Sequence, residues 1–242
     1  MIAVISDVHG NLPALEAVLA DIDAAGVHRV WCLGDTLGYG PSPVDCLRIV
    51  FERCEIVLAG NHDLAVRGDL RASDFLGTAG TGIAHAIAQV STAPDAQAML
   101  AGLRPSHFLD EVEMYHASAR DPVWEYVRDE ASAREHLSVQ RLPLSLVGHS
   151  HLPLCFTEVS PGKARGGLLD ANAVVPLDGS KRVFNPGSVG QPRDRDPRAS
   201  WALVSPGSVT MRRVTYDIAR TRAMVVDAGL PSEVGERLEL GW

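Results

Sequence analysis

The sequence has little of what marks a secreted or membrane-spanning protein. It holds four cysteines in 242 residues, and no two of them stand in a C-x-x-C spacing. Such usage favours reduced thiols over a disulfide framework or a zinc knuckle. No stretch approaches the roughly 20 consecutive apolar residues of a membrane helix, and the first residues lack the basic and apolar regions of a signal peptide. These absences predict a cytoplasmic protein with no membrane partner.

Positive charge is also scarce. The chain has 22 basic and 30 acidic side chains, which gives a net charge of −8. We therefore expect no extended nucleic-acid ligand, because such a ligand calls for a broad basic face. A small phosphate-containing substrate is still compatible, since bound metal ions supply positive charge locally. Apolar residues make up 46% of the chain and no linker divides it, so we expect one domain over residues 1–242, with a homo-oligomer allowed.

Three apolar segments in the first sixty residues are predicted to be buried strands, and each is followed by a polar cluster. They are residues 2–5, 30–33 and 55–59, and helical patterns separate them. The clusters that follow are DVHGN, GD and GNHD in turn. Open α/β sheets bind ligands at the carboxyl ends of their strands. The pattern therefore predicts that the three clusters meet at one edge of a sheet.

The rest of the chain continues with helices and then changes to short strands. Residues 64–107 are predicted to be mainly helical, packed on the sheet and able to wall an active site. Strands are predicted at 108–115 and 143–147, with a helical stretch over 122–139 between them. Later segments between Gly, Pro and Asp turns predict an antiparallel second sheet and a closing helix: strands 154–159, 173–177, 182–184, 201–204 and 209–216, and helix 217–228.

Side chains at the strand ends form a set of candidate metal ligands. Carboxylates, an amide oxygen and imidazoles together suit manganese, iron, magnesium or zinc. Asp7 and His9 stand two residues apart, so an extended chain directs both side chains to the same side. Each residue has a structural reading of its own, such as a helix cap for Asp7 and a turn for Asp63. The ordered set nevertheless favours a metal site, whereas four other histidines are interpreted as structural: His28, His85, His107 and His136.

The strings DVHGN, GD, GNHD and GHSH stand in the order found in the calcineurin-like metallophosphoesterase family, which the sequence resembles over nearly its whole length. The segments GDTLGYGP and NPGSVGQPRD make it most similar to the small bacterial branch of that family. The resemblance implies an α/β fold of four layers, α-β-β-α, in which helices flank two packed mixed sheets. It also implies two divalent metal ions, with Mn²⁺ expected first and iron, Mg²⁺, Zn²⁺ or Ni²⁺ as alternatives.

The same resemblance implies a role for each matching position. The ligands that it implies are Asp7, His9 and His151 for the first ion, Asn61, His116 and His149 for the second, and Asp35 as the bridge. Two such ions lower the pKa of a shared water toward ~7, and the resulting hydroxide attacks phosphorus. His62 is implied to stabilise the transition state or to protonate the leaving group, with Asp63 orienting its imidazole.

Residues around this centre are expected to contact substrate or to hold loops in place. Asn11 is placed near the substrate and also suits the cap of the following helix. Arg193 is interpreted either as a partner for substrate oxygens or as a surface arginine. Asn185 and Ser188 are expected to anchor loops by hydrogen bonds. These residues come from DVHGN and from NPGSVGQPRD, the last motif of the family resemblance.

The implied function is hydrolysis of a phosphate ester. The protein phosphatase branch of the family carries an arginine shortly after its second aspartate motif, and residues 35–41 hold none. Phosphomonoesters carry more charge and call for such a partner, so we expect a phosphodiesterase acting on small or cyclic nucleotides. The alternatives are a monoester or phosphoprotein phosphatase, a mononuclear hydrolase with one ion, and a scaffold without catalysis that binds proteins, as the retromer subunit of this family does.

Overall fold

The computed structural model describes residues 1–242, whose strands form two mixed six-stranded sheets. The strand order is β3-β2-β1-β11-β12-β9 in the first sheet and β4-β5-β6-β10-β7-β8 in the second. The strands are β1 (Ile2–Ile5), β2 (Val30–Cys32), β3 (Ile56–Val57), β4 (Ser106–Phe108), β5 (Val112–Tyr115), β6 (Leu144–Leu146), β7 (Pro153–Ser160), β8 (Lys163–Leu168), β9 (Val174–Pro176), β10 (Arg182–Pro186), β11 (Ala199–Ser205) and β12 (Ser208–Val214).

Eight α-helices and two short 3₁₀ helices connect or cover these strands. The α-helices are α1 (Leu12–Ala24), α2 (Pro43–Arg53), α3 (Asn61–Arg67), α4 (Gly77–Ser91), α5 (Pro94–Ala101), α6 (Glu130–Val139), α7 (Ile218–Asp227) and α8 (Glu233–Glu236). The 3₁₀ helices span Ala72–Asp74 and Arg237–Glu239. No helix combines the length and the apolar character that a membrane crossing requires.

Three apolar clusters define four layers, as the α-β-β-α prediction requires. Val4 and Trp31 of the first sheet meet Met114 and Leu146 of the second in the central cluster. On the outer face of the first sheet, residues of β1, β2 and β11 pack against α1 and α2. On the outer face of the second sheet, residues of β7 and β10 pack against α6. The central strands of both sheets are therefore buried on both faces and hold their ends rigidly.

The strands beyond residue 153 do not form a sheet of their own, so that prediction is wrong. Strands β9, β11 and β12 extend the first sheet, whereas β7, β8 and β10 extend the second. Strand β1 consequently lies between the parallel β2 and the antiparallel β11. Hydrophobic alternation identifies a strand, but the choice of its partner depends on packing between distant segments. Local pattern alone does not contain that information.

Two further element predictions are corrected by local hydrogen bonds. The helical stretch predicted over 122–139 begins only at Glu130, because the Asp121 carboxylate accepts from two successive backbone N–H groups and forms a turn. The strand predicted over 108–115 is a hairpin of β4 and β5. Strand β8 was not predicted, because its sequence KARGGL has neither apolar alternation nor β-branched residues.

Candidate metal centre

One group of candidate ligands comes from the ends of β1 and β6. The Nε2 atoms of His9 and His151 lie 3.0 Å apart. Oδ1 of Asp7 lies 3.9 Å from Nε2 of His9 and 3.5 Å from Nε2 of His151. All three side chains are buried. Since metal–ligand bonds of about 2.0–2.2 Å place two ligands of one ion roughly 3–3.5 Å apart, this spacing suits a single cation.

A second group forms where β3, β5 and β6 end. Nε2 of His116 lies 3.3 Å from Oδ1 of Asn61 and 3.2 Å from Nδ1 of His149. Oδ2 of Asp35 lies 3.5 Å from this His116 nitrogen and 3.7 Å from Nε2 of His9 in the first group. One oxygen of Asp35 therefore faces both groups, at the position that a bridging carboxylate requires. The structure thus brings together all seven side chains predicted as ligands.

Backbone carbonyls fix the tautomers of three of the candidate ligand histidines. The Nδ1 atoms lie 2.7–3.0 Å from carbonyl oxygens: His9 from Leu37, His116 from Leu33 and His151 from Gln191. A carbonyl only accepts, so Nδ1 carries the proton and Nε2 presents a lone pair when the ring is neutral. The lone pairs of His9 and His151 then face each other, and burial holds the pKa of both rings well below the usual range. That arrangement is stable with a metal cation between the rings.

Most of the candidate ligands have a left-handed backbone. Their φ angles are 54° for Asp7, 50° for His9, 53° for Asp35, 64° for His149 and 60° for His151. This conformation costs a residue with a Cβ about 1–2 kcal/mol, and besides these candidate ligands only three non-glycine residues adopt it: Tyr39, Asn172 and Arg195. Asp7 and His9 do point into one site, as predicted, but through these turns and not through extended chain.

Glycine is required at two positions because the loops approach each other closely. A Cβ on Gly60 would lie 1.9 Å from Oδ1 of Asp35. A Cβ on Gly34 would lie 2.6 Å from the backbone nitrogen of Gly60. The absence of these atoms lets the backbone N–H of His62 donate to Oδ1 of Asp35 at 2.9 Å. Glycine before a ligand therefore determines where the Asp35 carboxylate stands.

Burial and mutual charge move the pKa values of the site in opposite directions. Burial raises the pKa of Asp7 to about 7 and lowers that of His149 to about 3. Burial also opposes the charged forms of Asp35 and His116, but their attraction outweighs it. The pKa of Asp35 is therefore well below its usual range, and that of His116 is raised to about 9. In the metal-free protein, some of these side chains are therefore protonated, and metal ions would have to displace those protons to bind.

His62 lies among aromatic rings beside the first group of ligands. Its ring centroid is 4.8 Å from that of His9, 4.9 Å from that of Tyr39 and 5.1 Å from that of Phe75. Its Nδ1 is buried without a hydrogen-bond partner, and burial lowers its pKa to about 4. A ring nitrogen of His62 also lies within 4.8 Å of ligand atoms of His9 and Asp35. The geometry thus permits contact with substrate or with a metal ion.

Asp63 makes no hydrogen bond to the imidazole of His62, contrary to the orienting role predicted for it. Its carboxylate accepts from the backbone N–H groups of Leu37 at 3.0 Å, Gly60 at 2.9 Å and Thr36 at 3.3 Å. Asp63 is the third residue of α3, and a carboxylate there folds back over the start of its helix. It therefore ties the loop after β2 to α3, and this loop includes the Leu37 carbonyl that orients His9.

The side chain of Asn11 forms hydrogen bonds that connect the start of α1 to α7 and to the loop after β10. Its Oδ1 accepts from the backbone N–H of Ala14 at 3.3 Å and from the hydroxyl of Thr221 at 3.0 Å. Its Nδ2 donates to the carbonyl of Gly190 at 2.9 Å. The helix-capping role predicted for Asn11 is thus present. Substrate contact stays a prediction for this residue, whose amide already has protein partners on both atoms.

Arg193 contacts Tyr39, which in turn contacts the candidate ligand His9. Its Nη2 donates to the Tyr39 hydroxyl at 3.2 Å and to Oε1 of Gln191 at 2.9 Å. Its Nε is buried without a partner, and its guanidinium lies 5.7 Å from the centroid of the Tyr39 ring. Tyr39 in turn stands edge-on to His9, with 4.8 Å between ring centroids. Arg193 is therefore one aromatic ring away from a candidate ligand.

Asn185 and Ser188 anchor ligand loops, as predicted. Nδ2 of Asn185 donates to the carbonyl of Gly148 at 2.6 Å, which fixes the residue before His149. The hydroxyl of Ser188 donates to the carbonyl of Asp7 at 2.8 Å. Strand β10 and the turn after it thus hold one ligand loop from each sheet.

Sequence reasoning missed the aromatic rings at the rim of the site. The ring of Tyr126 stacks on His149 at 4.0 Å and 15° between planes. Trp124 packs against Phe75 at 5.4 Å, and Phe75 contacts His62. Trp124 and Tyr126 are 40% and 41% exposed, so each offers a free face. The aromatic character of Trp124 and Tyr126 could have indicated a rim position, but the sequence pattern around them predicts a helix.

Known proteins resemble this one over most of the chain. Residues 1–209 match the calcineurin-like phosphoesterase superfamily domain. The chain is 34% identical to an uncharacterized protein of Methanocaldococcus jannaschii over 100% of this chain and 98% of that protein. A crystal structure of a metallophosphoesterase from Sphaerobacter thermophilus is 37% identical and superposes with a TM-score of 0.89, covering 100% of this chain and 99% of that one.

A shorter similarity links the chain to a nucleotide hydrolase. It is 33% identical to the symmetrical bis(5'-nucleosyl)-tetraphosphatase of Yersinia enterocolitica over 56% of this chain and 47% of that protein. The longer matches span the strand ends that carry the clustered ligands. The chain therefore belongs to the calcineurin-like phosphoesterase superfamily.

Proposed function

We propose that the protein is a phosphodiesterase that acts on small nucleotides with two divalent metal ions. The observation that carries the proposal is the position of Asp35, whose Oδ2 faces His9 in one ligand group and His116 in the other. A mononuclear site has no use for a second complete group of ligands. A scaffold without catalysis has no need to keep strained backbone at most of its ligands.

The donor atoms fit two divalent cations. Asp7, His9 and His151 would hold one ion, Asn61, His116 and His149 the other, and Asp35 both. Imidazole, carboxylate and amide donors together suit Mn²⁺ first and also iron, Mg²⁺, Zn²⁺ or Ni²⁺. When bound, such ions supply charge neutralisation at the phosphoryl oxygens and an activated water.

His62 supplies the protein's own acid chemistry in this proposal. When water adds to phosphorus and the bond to the leaving oxygen breaks, that oxygen needs a proton. The His62 ring is fixed between Tyr39 and Phe75, and its Nδ1 has no protein partner. Because burial lowers the pKa of His62 to about 4, its ring is neutral near pH 7 and stabilises the transition state by hydrogen bonding. It protonates the leaving oxygen only after it has taken up a proton.

Two features favour a nucleotide diester over a monoester. Residues 35–41 carry no basic side chain, so the loop after Asp35 lacks a cation for the extra charge of a monoester. Trp124, which packs on Phe75, and Tyr126, which stacks on His149, are both partly exposed at the rim, and partly exposed aromatic rings can stack on a nucleobase. The Yersinia relative, named for hydrolysis of dinucleoside tetraphosphates, points to nucleotides as well.

We also infer that residues 64–107 wall the active site. Phe75 of this segment packs on His62. Helix α4 lies directly against the loop after β2, because a Cβ on Gly82 would be 2.3 Å from the backbone nitrogen of Tyr39. His85 of the same helix lies 3.1 Å from the carbonyl of Pro41. The segment thus supports the side of the site that carries Tyr39 and His62.

The cysteines support the cytoplasm as the compartment. All four are free thiols, and Cys32, Cys46 and Cys155 are buried. Burial raises the pKa of Cys32 to about 12 and that of Cys155 to about 11, which keeps these thiols neutral and unreactive. Unpaired thiols of this kind are typical of a reducing compartment.

The deciding experiment compares a diester and a monoester substrate. We expect the manganese-loaded protein to hydrolyse bis(p-nitrophenyl) phosphate with a higher kcat/KM than p-nitrophenyl phosphate. His62→Ala should lower kcat on the diester by roughly 10²–10⁴-fold while two ions per chain stay bound. His107→Ala, which removes an exposed histidine of β4, serves as the matched control.

Each alternative predicts a different result of this experiment. A wide preference for the monoester would contradict the proposed diesterase. Undiminished activity in His62→Ala would remove the role given to His62, and loss of an ion in that variant would make His62 a ligand. Two bound ions without hydrolysis of either substrate would favour the scaffold.

A further inference from the structure

A cavity of about 310 Å³ lies beside the metal centre and is lined by Arg193, Arg195, Arg237 and Trp242. Two distant segments build it. The backbone N–H of Arg195 donates to the carbonyl of Gly241 at 2.9 Å, and Nε of Arg237 donates to the carbonyl of Trp242 at 2.7 Å. The cavity therefore forms where the last residues of the chain pack on the loop after β10.

No aspartate or glutamate lies within ion-pairing distance of the three arginines in the cavity, and only Arg237 meets a main-chain oxygen at residue 242. The two aspartates that alternate with them are engaged elsewhere: Asp194 pairs with Arg213, and Asp196 pairs with Arg198 at 2.6 Å. The pairing of these aspartates leaves three guanidinium groups without an acidic side chain as partner on one small surface, in a chain whose net charge is −8. Concentrated, unpaired arginine charge is the arrangement that binds phosphate groups.

The arginines also act on one another. Burial lowers the pKa of Arg237, and the neighbouring Arg193 charge lowers it further. Arg195 has a left-handed backbone, with φ at 68°, and its guanidinium lies 5.8 Å from the centroid of the Trp242 ring. Like charges held together at a strained position are unfavourable in the free protein. An anion bound among them would remove the repulsion.

Arg193 connects the cavity to the metal centre. It lines the cavity and also bonds to the Tyr39 hydroxyl, and Tyr39 stands against His9. We propose that the cavity binds a second phosphate group of the substrate, one that is not attacked, through Arg195 and Arg237. This inference rests on the proposed function and narrows it to nucleotides with at least two phosphate groups.

The first test measures binding without catalysis. Metal-free protein is titrated with inorganic tripolyphosphate by calorimetry at fixed ionic strength. Arg195→Gln/Arg237→Gln should bind at least tenfold more weakly than the wild type. The control Arg29→Gln/Arg165→Gln removes the same charge from exposed ion pairs with Glu55 and Glu130, and it should bind within twofold of wild type. Equal affinity in all three proteins, or an equal loss in both variants, would refute the cavity as the binding site.

The second test uses the manganese-loaded enzyme and two substrates. In Arg195→Gln/Arg237→Gln we expect kcat/KM for diadenosine tetraphosphate to fall at least tenfold through KM, with less than a threefold fall for bis(p-nitrophenyl) phosphate. An equal fall for both substrates, or wild-type protein that cleaves only the single-phosphate diester, would overturn the inference. If wild type cleaves neither, the proposed function fails, whereas the tripolyphosphate titration still decides whether the cavity binds phosphate.

Discussion

Buried histidines in this protein include two kinds, which differ in how their ring nitrogens are bonded. The candidate ligands His9, His116 and His151 donate from Nδ1 to a backbone carbonyl and keep Nε2 toward the site. His136 has both ring nitrogens occupied: Nδ1 accepts from the backbone N–H of Ala119 and Nε2 lies 2.9 Å from the hydroxyl of Ser145. The ligand pattern is that of a metal site, and the His136 pattern is that of a structural core residue.

The sequence predicted which histidines are candidate ligands and which are structural, but not the hydrogen bonds that orient their rings. Order along the chain and position after a strand identified the candidate ligands. The carbonyls of Leu33, Leu37 and Gln191 that set the tautomers could not be predicted, because every residue has a carbonyl. Their direction depends on the φ and ψ angles of turns that close only in the folded chain.

At the scale of one residue, His136 should make stability depend on acidity. Burial lowers its pKa to about 4, below the usual value of 6.5, so the folded protein binds fewer protons than the unfolded chain between these values. Its contribution is complete above pH 6.5 and is lost as the pH falls toward 4. We expect the unfolding free energy, measured by urea denaturation, to depend less on pH in His136→Gln. Between pH 6.5 and 4 the variant should lose up to about 3 kcal/mol less than the wild type.

The comparison variant for this prediction is His107→Gln, which removes an exposed histidine. Only the difference between the two variants isolates His136, because buried ligand histidines contribute to the acid slope in both. A slope in His136→Gln as steep as that in His107→Gln would contradict the prediction.

At the scale of secondary structure elements, the strand ends decide the site. The polar clusters after β1, β2 and β3 come together, as predicted. Their positions could be predicted because buried apolar runs and the polar residues after them are local signals. The irregular segment between β5 and α6 was not predicted, and with it Trp124 and Tyr126 were missed. Its turn depends on the Asp121 carboxylate and not on apolar periodicity.

Substitution of Gly60 should test how closely these strand ends must approach. In Gly60→Ala the new Cβ would meet Oδ1 of Asp35 at 1.9 Å and displace the carboxylate that faces both ligand groups. We expect bound manganese, measured by elemental analysis after gel filtration, to fall from two ions per chain to one or none.

A second glycine provides a matched control for this substitution. Gly102 has a φ of −94°, close to the −90° of Gly60, and a Cβ there would meet nothing within 4 Å. Gly102→Ala should therefore keep its metal. Full occupancy in Gly60→Ala would show that the Asp35 carboxylate tolerates displacement.

At the scale of the whole molecule, the candidate metal centre joins the two sheets. Asp7, Asp35 and Asn61 come from the first sheet, and His116 and His149 come from the second. The backbone N–H of His149 also donates to the Asp7 carboxylate at 3.2 Å. We propose that residues 1–242 unfold as a single domain, because the first sheet needs strands from both ends of the chain and the second sheet packs on it through the central apolar cluster.

Metal binding should consequently stabilise the entire fold. Free Mn²⁺ at about 1,000 times its Kd adds about 4 kcal/mol if it binds only the folded state, which raises Tm by roughly 8–16 °C for a chain of this size. We expect circular dichroism and tryptophan fluorescence to report one coincident transition, which a chelator shifts down. Asp35→Asn should lose most of this shift. Two separate transitions would contradict the single-domain proposal.

The place of β1 between β2 and β11 has a consequence for biosynthesis. Strand β1 leaves the ribosome long before its antiparallel neighbour, which spans Ala199–Ser205, has been made. One long edge of β1 therefore stays open while most of the polypeptide is synthesised, and an open apolar edge is prone to wrong pairing. A nascent chain stalled before β11 should depend on chaperones, whereas the released protein should not.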